Sequence, residues 1–98
     1  MKRARTGATP AKAASSGVPV VILYFAVLRE TAGLAQERFR LPRQVTVAQV
    51  FAEVARRRKV LARHLPACRL AKNGSFVSGR MRLQAGDELA ILPPVAGG

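Results

Sequence analysis

Val20-Val21-Ile22-Leu23-Tyr24-Phe25 is an unbroken run of β-branched, aliphatic and aromatic residues. A run of that kind fits a strand covered on at least part of both faces, which places it inside a sheet. Downstream, Thr31-Ala32-Gly33-Leu34-Ala35 supplies a break. Gln36 to Leu41 then alternates, with Glu37, Phe39 and Leu41 on one face and Arg38 and Arg40 on the other. That pattern predicts a second strand, in a hairpin with the first, stopped by Pro42.

Helical signals follow. Thr46 suits an N-cap, and Gln49 three residues later completes a weak capping box. Val47, Val50, Phe51 and Val54 recur at helical spacing, so an amphipathic helix is expected over residues 47–58. The run Arg56-Arg57-Arg58-Lys59 falls in its last turn, where cations favour the negative end of the helix dipole. It reads as a solvated helix end, with a nucleic-acid contact as the alternative. Val60, Leu61 and Leu65 suggest a short turn before Pro66. Residues 68–72 predict a third strand, ended by the Asn73-Gly74 turn signal. Phe76-Val77 is expected to pair briefly, Ser78-Gly79 to turn, and Gln84-Ala85-Gly86-Asp87 to turn again. Glu88 to Leu92 is the last strand, stopped by Pro93-Pro94.

The resulting order is β-β-α-β-β with a short piece before the final strand. Its economical packing is one main helix across one mixed sheet of four to five strands. The most apolar strands, first and last, would sit side by side in the middle. That is the ubiquitin-like β-grasp, an α+β fold, expected over residues 18–92. Strand alternation then points Val20, Ile22, Tyr24, Leu89 and Ile91 at the helix.

Composition narrows the class. Ninety-eight residues fit one small domain. With 49% apolar residues but few aromatics and no Trp, the core must come from Val, Leu, Ile and Ala. No apolar run approaches the ~20 residues of a membrane span. One cysteine, Cys68, cannot form an internal disulfide, and a reducing cytoplasm is the expected location. Cys68 itself reads as a small buried hydrophobe. One Cys and one His (His64) argue against a protein-only metal site, since zinc takes about four ligands.

Seventeen Lys and Arg face five acids, a net charge of +12. Four of the bases (Lys2, Arg3, Arg5, Lys12) lie in residues 1–17, a basic stretch with no apolar periodicity and no signal-peptide core, expected to be a disordered tail. Thirteen bases against five acids leave the rest at +8, suited to an acidic partner of some kind.

The chemistry lies in residues 93–98, Pro93-Pro94-Val95-Ala96-Gly97-Gly98. Two prolines carry the chain off the sheet in stiff, extended form. Six residues span at most ~20 Å at ~3.3–3.6 Å each. The two glycines have no side chains, so a partner's channel can close around the backbone. Such a flexible arm delivers its terminal carboxylate, on Gly98, into another protein's active site.

Here the chain resembles the small, sulfur-carrying subunit of molybdopterin synthase and its ThiS-like relatives. Gly86-Asp87-Glu88-Leu89-Ala90-Ile91-Leu92-Pro93-Pro94-Val95-Ala96-Gly97-Gly98 is similar to that family's C-terminal signature. Tyr24-Phe25-Ala26-Val27-Leu28-Arg29-Glu30-Thr31-Ala32-Gly33 is similar to its first strand and following loop. Lys72-Asn73 stands where the family usually has an apolar residue and then Asn, a departure that bears on the packing of the third strand.

The resemblance implies a non-catalytic carrier that binds no cofactor itself. An E1-like adenylyltransferase, using ATP, would adenylate Gly98. A sulfur donor protein would then displace AMP to leave a thiocarboxylate. Pro93, Pro94, Val95, Ala96 and Gly97 would thread into the large synthase subunit, in a heterotetramer of two small and two large subunits. There the sulfur would pass to cyclic pyranopterin monophosphate. The family docks through positions matching Phe25, Phe76 and Leu92, which alternation sets on the open sheet face. Arg29, Arg69, Lys72, Arg80 and Arg82 would meet an acidic partner.

Two alternatives keep the same activated carboxylate: a carrier for thiamine, cysteine, tRNA thiolation or tungsten-cofactor synthesis, and ubiquitin-like conjugation to lysines. A basic nucleic-acid-binding domain accounts for the charge, but few aromatics and no recognised motif support it. Neither nucleic acid nor membrane is therefore an expected partner.

Overall fold

Alternation along the first apolar run decides which way the sheet faces. In the computed structural model, which describes residues 17–95, strand β1 (Val18–Tyr24) buries Val18, Val20, Ile22 and Tyr24. Val21 and Leu23, on its other face, are half-buried. The tail expected over residues 1–17 lies, except for Gly17, outside the described residues. Gly17 packs so closely on Leu41 that an added Cβ would come within 2.6 Å of the Leu41 carbonyl oxygen.

β2 (Gln36–Leu41) pairs antiparallel with β1, Val18 opposite Leu41 and Leu23 opposite Gln36. Between them lies a helix that the sequence reading missed, α1 (Val27–Ala32). It has six residues, buries only Leu28, and ends at Gly33, whose φ of 81° is the left-handed conformation that closes a helix. The break seen at residues 31–35 is its C-terminus.

β3 (Gln44–Thr46) precedes the main helix, α2 (Val47–Arg57). The expected cap is present in both halves: Gln49 N–H donates to Thr46 Oγ1 at 3.1 Å, and Thr46 N–H donates to Gln49 Oε1 at 2.8 Å. Val50 and Val54 are fully buried, with Val47 and Phe51 packed around them. The helix ends one residue earlier than expected, because Arg58 leaves helical geometry (φ −121°, ψ 80°). Two 3-10 turns, Lys59–Leu61 and Leu65–Ala67, drop Leu61 and Leu65 into the core.

β4 (Arg69–Lys72) starts at Arg69 rather than Cys68, since the Cys68 N–H closes the preceding turn onto Leu65. β5 (Ser75–Val77) folds back on it through Asn73-Gly74. β6 (Arg80–Arg82) pairs with β3 in a two-stranded ribbon, and β7 (Glu88–Leu92) has the predicted bounds. The main sheet runs β2-β1-β7-β4-β5, with β1 and β7 parallel and adjacent. This is the ubiquitin-like β-grasp.

Lys72 does not disturb β4. It shares the core-side face with Leu70 and sits opposite Leu89, and its Nζ donates to the Arg82 carbonyl at 2.9 Å. A lysine at this rim position keeps its stem on the sheet and its head on the ribbon.

Candidate functional site

The site is built on β7, because the arm leaves from its end. β7 is anchored before it emerges. Gly86 turns at φ 90°, and Asp87 accepts from the Gln84 N–H (2.9 Å) and from Asn73 Nδ2 (3.0 Å). Asn73 Oδ1 accepts from the Glu88 N–H at 2.9 Å, and the Val21 N–H donates to the Asp87 carbonyl. The Asn73 noted from sequence thus clasps the start of β7 to the β4–β5 turn. Leu89 and Ile91 are completely buried, so the last strand is fixed on its core side.

On the open face, register brings small and apolar residues into rows. Leu23, Ala90, Ala71 and Phe76 lie side by side across β1, β7, β4 and β5, and Leu92 sits opposite Arg69. A groove of about 490 Å³ opens there, floored by Ala67, Arg69, Phe76 and Leu92. Pro93, Pro94 and Val95 form its other wall. The Arg69 guanidinium lies 3.8 Å from the centre of the Phe76 ring. Phe76 is 55% exposed and Val95 79% exposed.

The sequence-predicted interface residues are thus brought together only in part. Phe76 and Leu92 share the groove, whereas Phe25, 38% exposed, does not line it. The paired strand ends at Tyr24, and Ala26 turns the chain at φ 51°, so strand alternation does not extend to Phe25. Gly98, Gly97 and Ala96 lie outside the described residues. Of the basic candidates, Arg29, Arg69, Arg80 and Arg82 are exposed and Lys72 is half-buried.

Sequence reasoning missed a second cluster. Tyr24, buried, donates its hydroxyl to Glu37 Oε1 at 2.9 Å. Arg58 holds the same carboxylate with two nitrogens, Nε at 3.0 Å and Nη2 at 2.8 Å. Arg57 stands 3.8 Å from it and also stacks over Phe39. Arg56 pairs with Glu53. Three of the four bases in the run at residues 56–59 therefore hold intramolecular partners. A core-facing glutamate on a strand, followed by a distant arginine run, was the available signal, but pairing at that separation needs the fold.

The Arg58 hydrogen bonds hold Glu37 below the ordinary glutamate value of 4.5, outweighing burial. Burial, reinforced by Glu37, pushes the Tyr24 hydroxyl upward. A lowered native pKa makes the stabilisation complete above the ordinary value and lost as pH falls through the native one. We expect Glu37→Gln to cost about 1–3 kcal/mol at neutral pH. The gap between variant and wild type, read by urea unfolding, should close on acidification below pH 4.5.

Cys68 is half-buried, donates its thiol to the His64 carbonyl at 3.1 Å, and has its pKa raised by burial, which are the marks of an inert thiol. Among the described residues no three His, Cys, Asp or Glu side chains gather into a metal site, and no helix is long and apolar enough to cross a membrane.

The sequence pattern of the ThiS family matches residues 22–98, from the middle of β1 through the Gly-Gly end. The chain belongs to the ThiS family. Within that family it is similar in sequence to molybdopterin synthase sulfur carrier subunits, and in structure both to a molybdopterin converting factor subunit and to SAMP1. The molybdopterin synthase sulfur carrier subunit of Chlamydomonas reinhardtii is 32% identical over 81 residues, covering 81% of this chain and 98% of that protein. A putative molybdopterin converting factor, subunit 1, from Pyrococcus furiosus superposes with a TM-score of 0.70 at 29% identity, over 80% of this chain and 99% of its own. SAMP1 from Haloferax volcanii superposes equally well, at 27% identity and a TM-score of 0.70, over 82% of this chain and 99% of its own. This ThiS-family chain thus has the fold that its sequence pattern suggested.

Proposed function

We propose that this chain is the sulfur-carrier subunit of molybdopterin synthase. The observation that carries the reading is the placement of the arm. A central strand whose core-side residues Leu89 and Ile91 are wholly buried, clasped at its start, runs straight into Pro93-Pro94, and Gly97-Gly98 follow in the sequence. The similarity to molybdopterin synthase sulfur carrier subunits supports the choice of pathway.

In this reading an E1-like enzyme joins the Gly98 carboxylate to AMP from ATP, releasing pyrophosphate. Adenylation is needed because carboxylate oxygen is a poor leaving group. A donor protein's persulfide displaces AMP to form an acyl disulfide, and a thiol then reduces its S–S bond, leaving a thiocarboxylate with a soft nucleophilic sulfur. The carrier docks on the large subunit, in an assembly of two small and two large chains, and gives its sulfur to cyclic pyranopterin monophosphate. General acids, bases and oxyanion donors belong to those partners. The setting is the cytoplasm.

The test is sulfur transfer from loaded carrier. Incubation with the large synthase subunit of the same genome and cyclic pyranopterin monophosphate should yield molybdopterin. Sulfur delivered instead to a thiazole-forming enzyme, with no molybdopterin, would move the chain to thiamine synthesis.

The docking reading gives a second expectation. Phe25 is exposed, so Phe25→Asp should leave the melting temperature close to wild type. If Phe25 anchors the large subunit, the variant loses affinity by more than about 30-fold in calorimetric titration. Unfolding of that variant would assign Phe25 a structural role.

A further inference from the structure

The groove beside the arm holds a positive charge that no acid among the described residues answers. Arg69 is exposed on β4, lies over Phe76 and lines the groove with Leu92 and the prolines. Among the described residues its guanidinium has no ion-pair partner, and no Asp or Glu lines the groove. Glu37, Glu53 and Asp87 are engaged elsewhere by Arg58, Arg56 and Asn73. Stacking on Phe76 fixes the plane of the guanidinium and leaves its edge N–H groups to form hydrogen bonds. That preorganises a two-pronged contact to a carboxylate. Around it the walls are apolar: Ala67, Phe76, Leu92 and the arm's own Pro93 and Val95.

On the docking face expected of the family, we propose that Arg69 is the specificity residue of this groove: it takes an Asp or Glu carboxylate from the large-subunit segment that sets an apolar side chain against Phe76 and Leu92. Because the arm forms one wall, the segment would grip the arm's root and fix the direction in which Gly98 is presented. Arg69 is then a positioning and specificity residue, which touches neither sulfur nor precursor. The inference rests on the carrier reading and deepens it, naming the chemistry of the partner surface: apolar, with an acid beside it.

The large synthase subunit of the same genome serves as the probe, titrated with wild-type chain, Arg69→Met, Arg69→Lys and Arg69→Glu at low and high salt. Methionine keeps apolar cover over Phe76 and removes the charge, so circular dichroism and melting should be unchanged. The expected result is a loss of about tenfold for Arg69→Met and about a hundredfold for Arg69→Glu. Arg69→Lys should be intermediate, because it keeps the charge without the fork. Wild-type affinity should fall with salt more steeply than that of Arg69→Met. Wild-type affinity and salt dependence retained in Arg69→Met would overturn the proposal while leaving the carrier reading in place. Failure of the wild-type chain itself to bind would overturn the carrier reading.

Discussion

Removing Gly98 should end sulfur loading, by at least about a thousandfold, and leave the domain's stability untouched. The terminal carboxyl would still exist, now on Gly97, but it would sit ~3.3–3.6 Å short of its place in the activating enzyme. A misplacement of ~1 Å at a reacting centre already costs about a hundredfold. Nothing in the core compensates, because Leu89, Ile91 and the clasp on Asp87 fix where the arm starts. The same core predicts unchanged melting, since the domain's buried cluster ends at Ile91. The measurement is a single-turnover loading assay beside a thermal melt. A truncated chain that loads at the wild-type rate would show that reach is not what selects the carboxylate.

Ile91→Ala should damage the fold severely. Ile91 is wholly buried, sits opposite Tyr24 on one side and Leu70 on the other, and belongs to the strand that carries the arm. Truncating such a residue costs about 2–5 kcal/mol, in proportion to the cavity left behind. For a domain of this size each kcal/mol lowers the melting temperature by roughly 4–8 °C. A second effect follows from place: loosening β7 loosens the root of the arm. We expect loading to fall even at temperatures where the variant is still folded. Contrast comes from Leu92, half-buried on the open face, where Leu92→Ala should cost less stability and more partner affinity. A shift of only a degree or two for Ile91→Ala would show that the sheet relaxes around the cavity.

How legible this was depends on how local each signal is. The bounds of β7, the Thr46–Gln49 cap and the inward set Val20, Ile22, Tyr24, Leu89 and Ile91 rest on period, caps and prolines, which act within a few residues. The central pairing of β1 with β7 followed from their being the most apolar strands. What was missed is short or distant. α1 has too few residues to show a helical period, and β3 and β6 have three each, held by pairing with one another across the chain. The Glu37–Arg58 bridge joins residues 21 apart. From sequence the arginine run was a solvated helix end, yet two of its members turn back onto the sheet. At the site, Phe76 and Leu92 were placed together by alternation, whereas Phe25 lies beyond the last paired residue of β1, where alternation no longer applies. Arg69 was one base among five, and only its stacking on Phe76 sets it apart.

The most direct test of the carrier chemistry is the mass of the C-terminal tryptic peptide. The last basic residue is Arg82, so trypsin releases Leu83 to Gly98 as one piece that contains no methionine. Oxidation of Met81 therefore cannot mimic the gain of sulfur. The protein is to be taken from cells that also express an E1-like enzyme and its sulfur donor. The expected peptide has one oxygen exchanged for sulfur at Gly98. An unmodified carboxylate after exposure to several such enzymes would contradict the account.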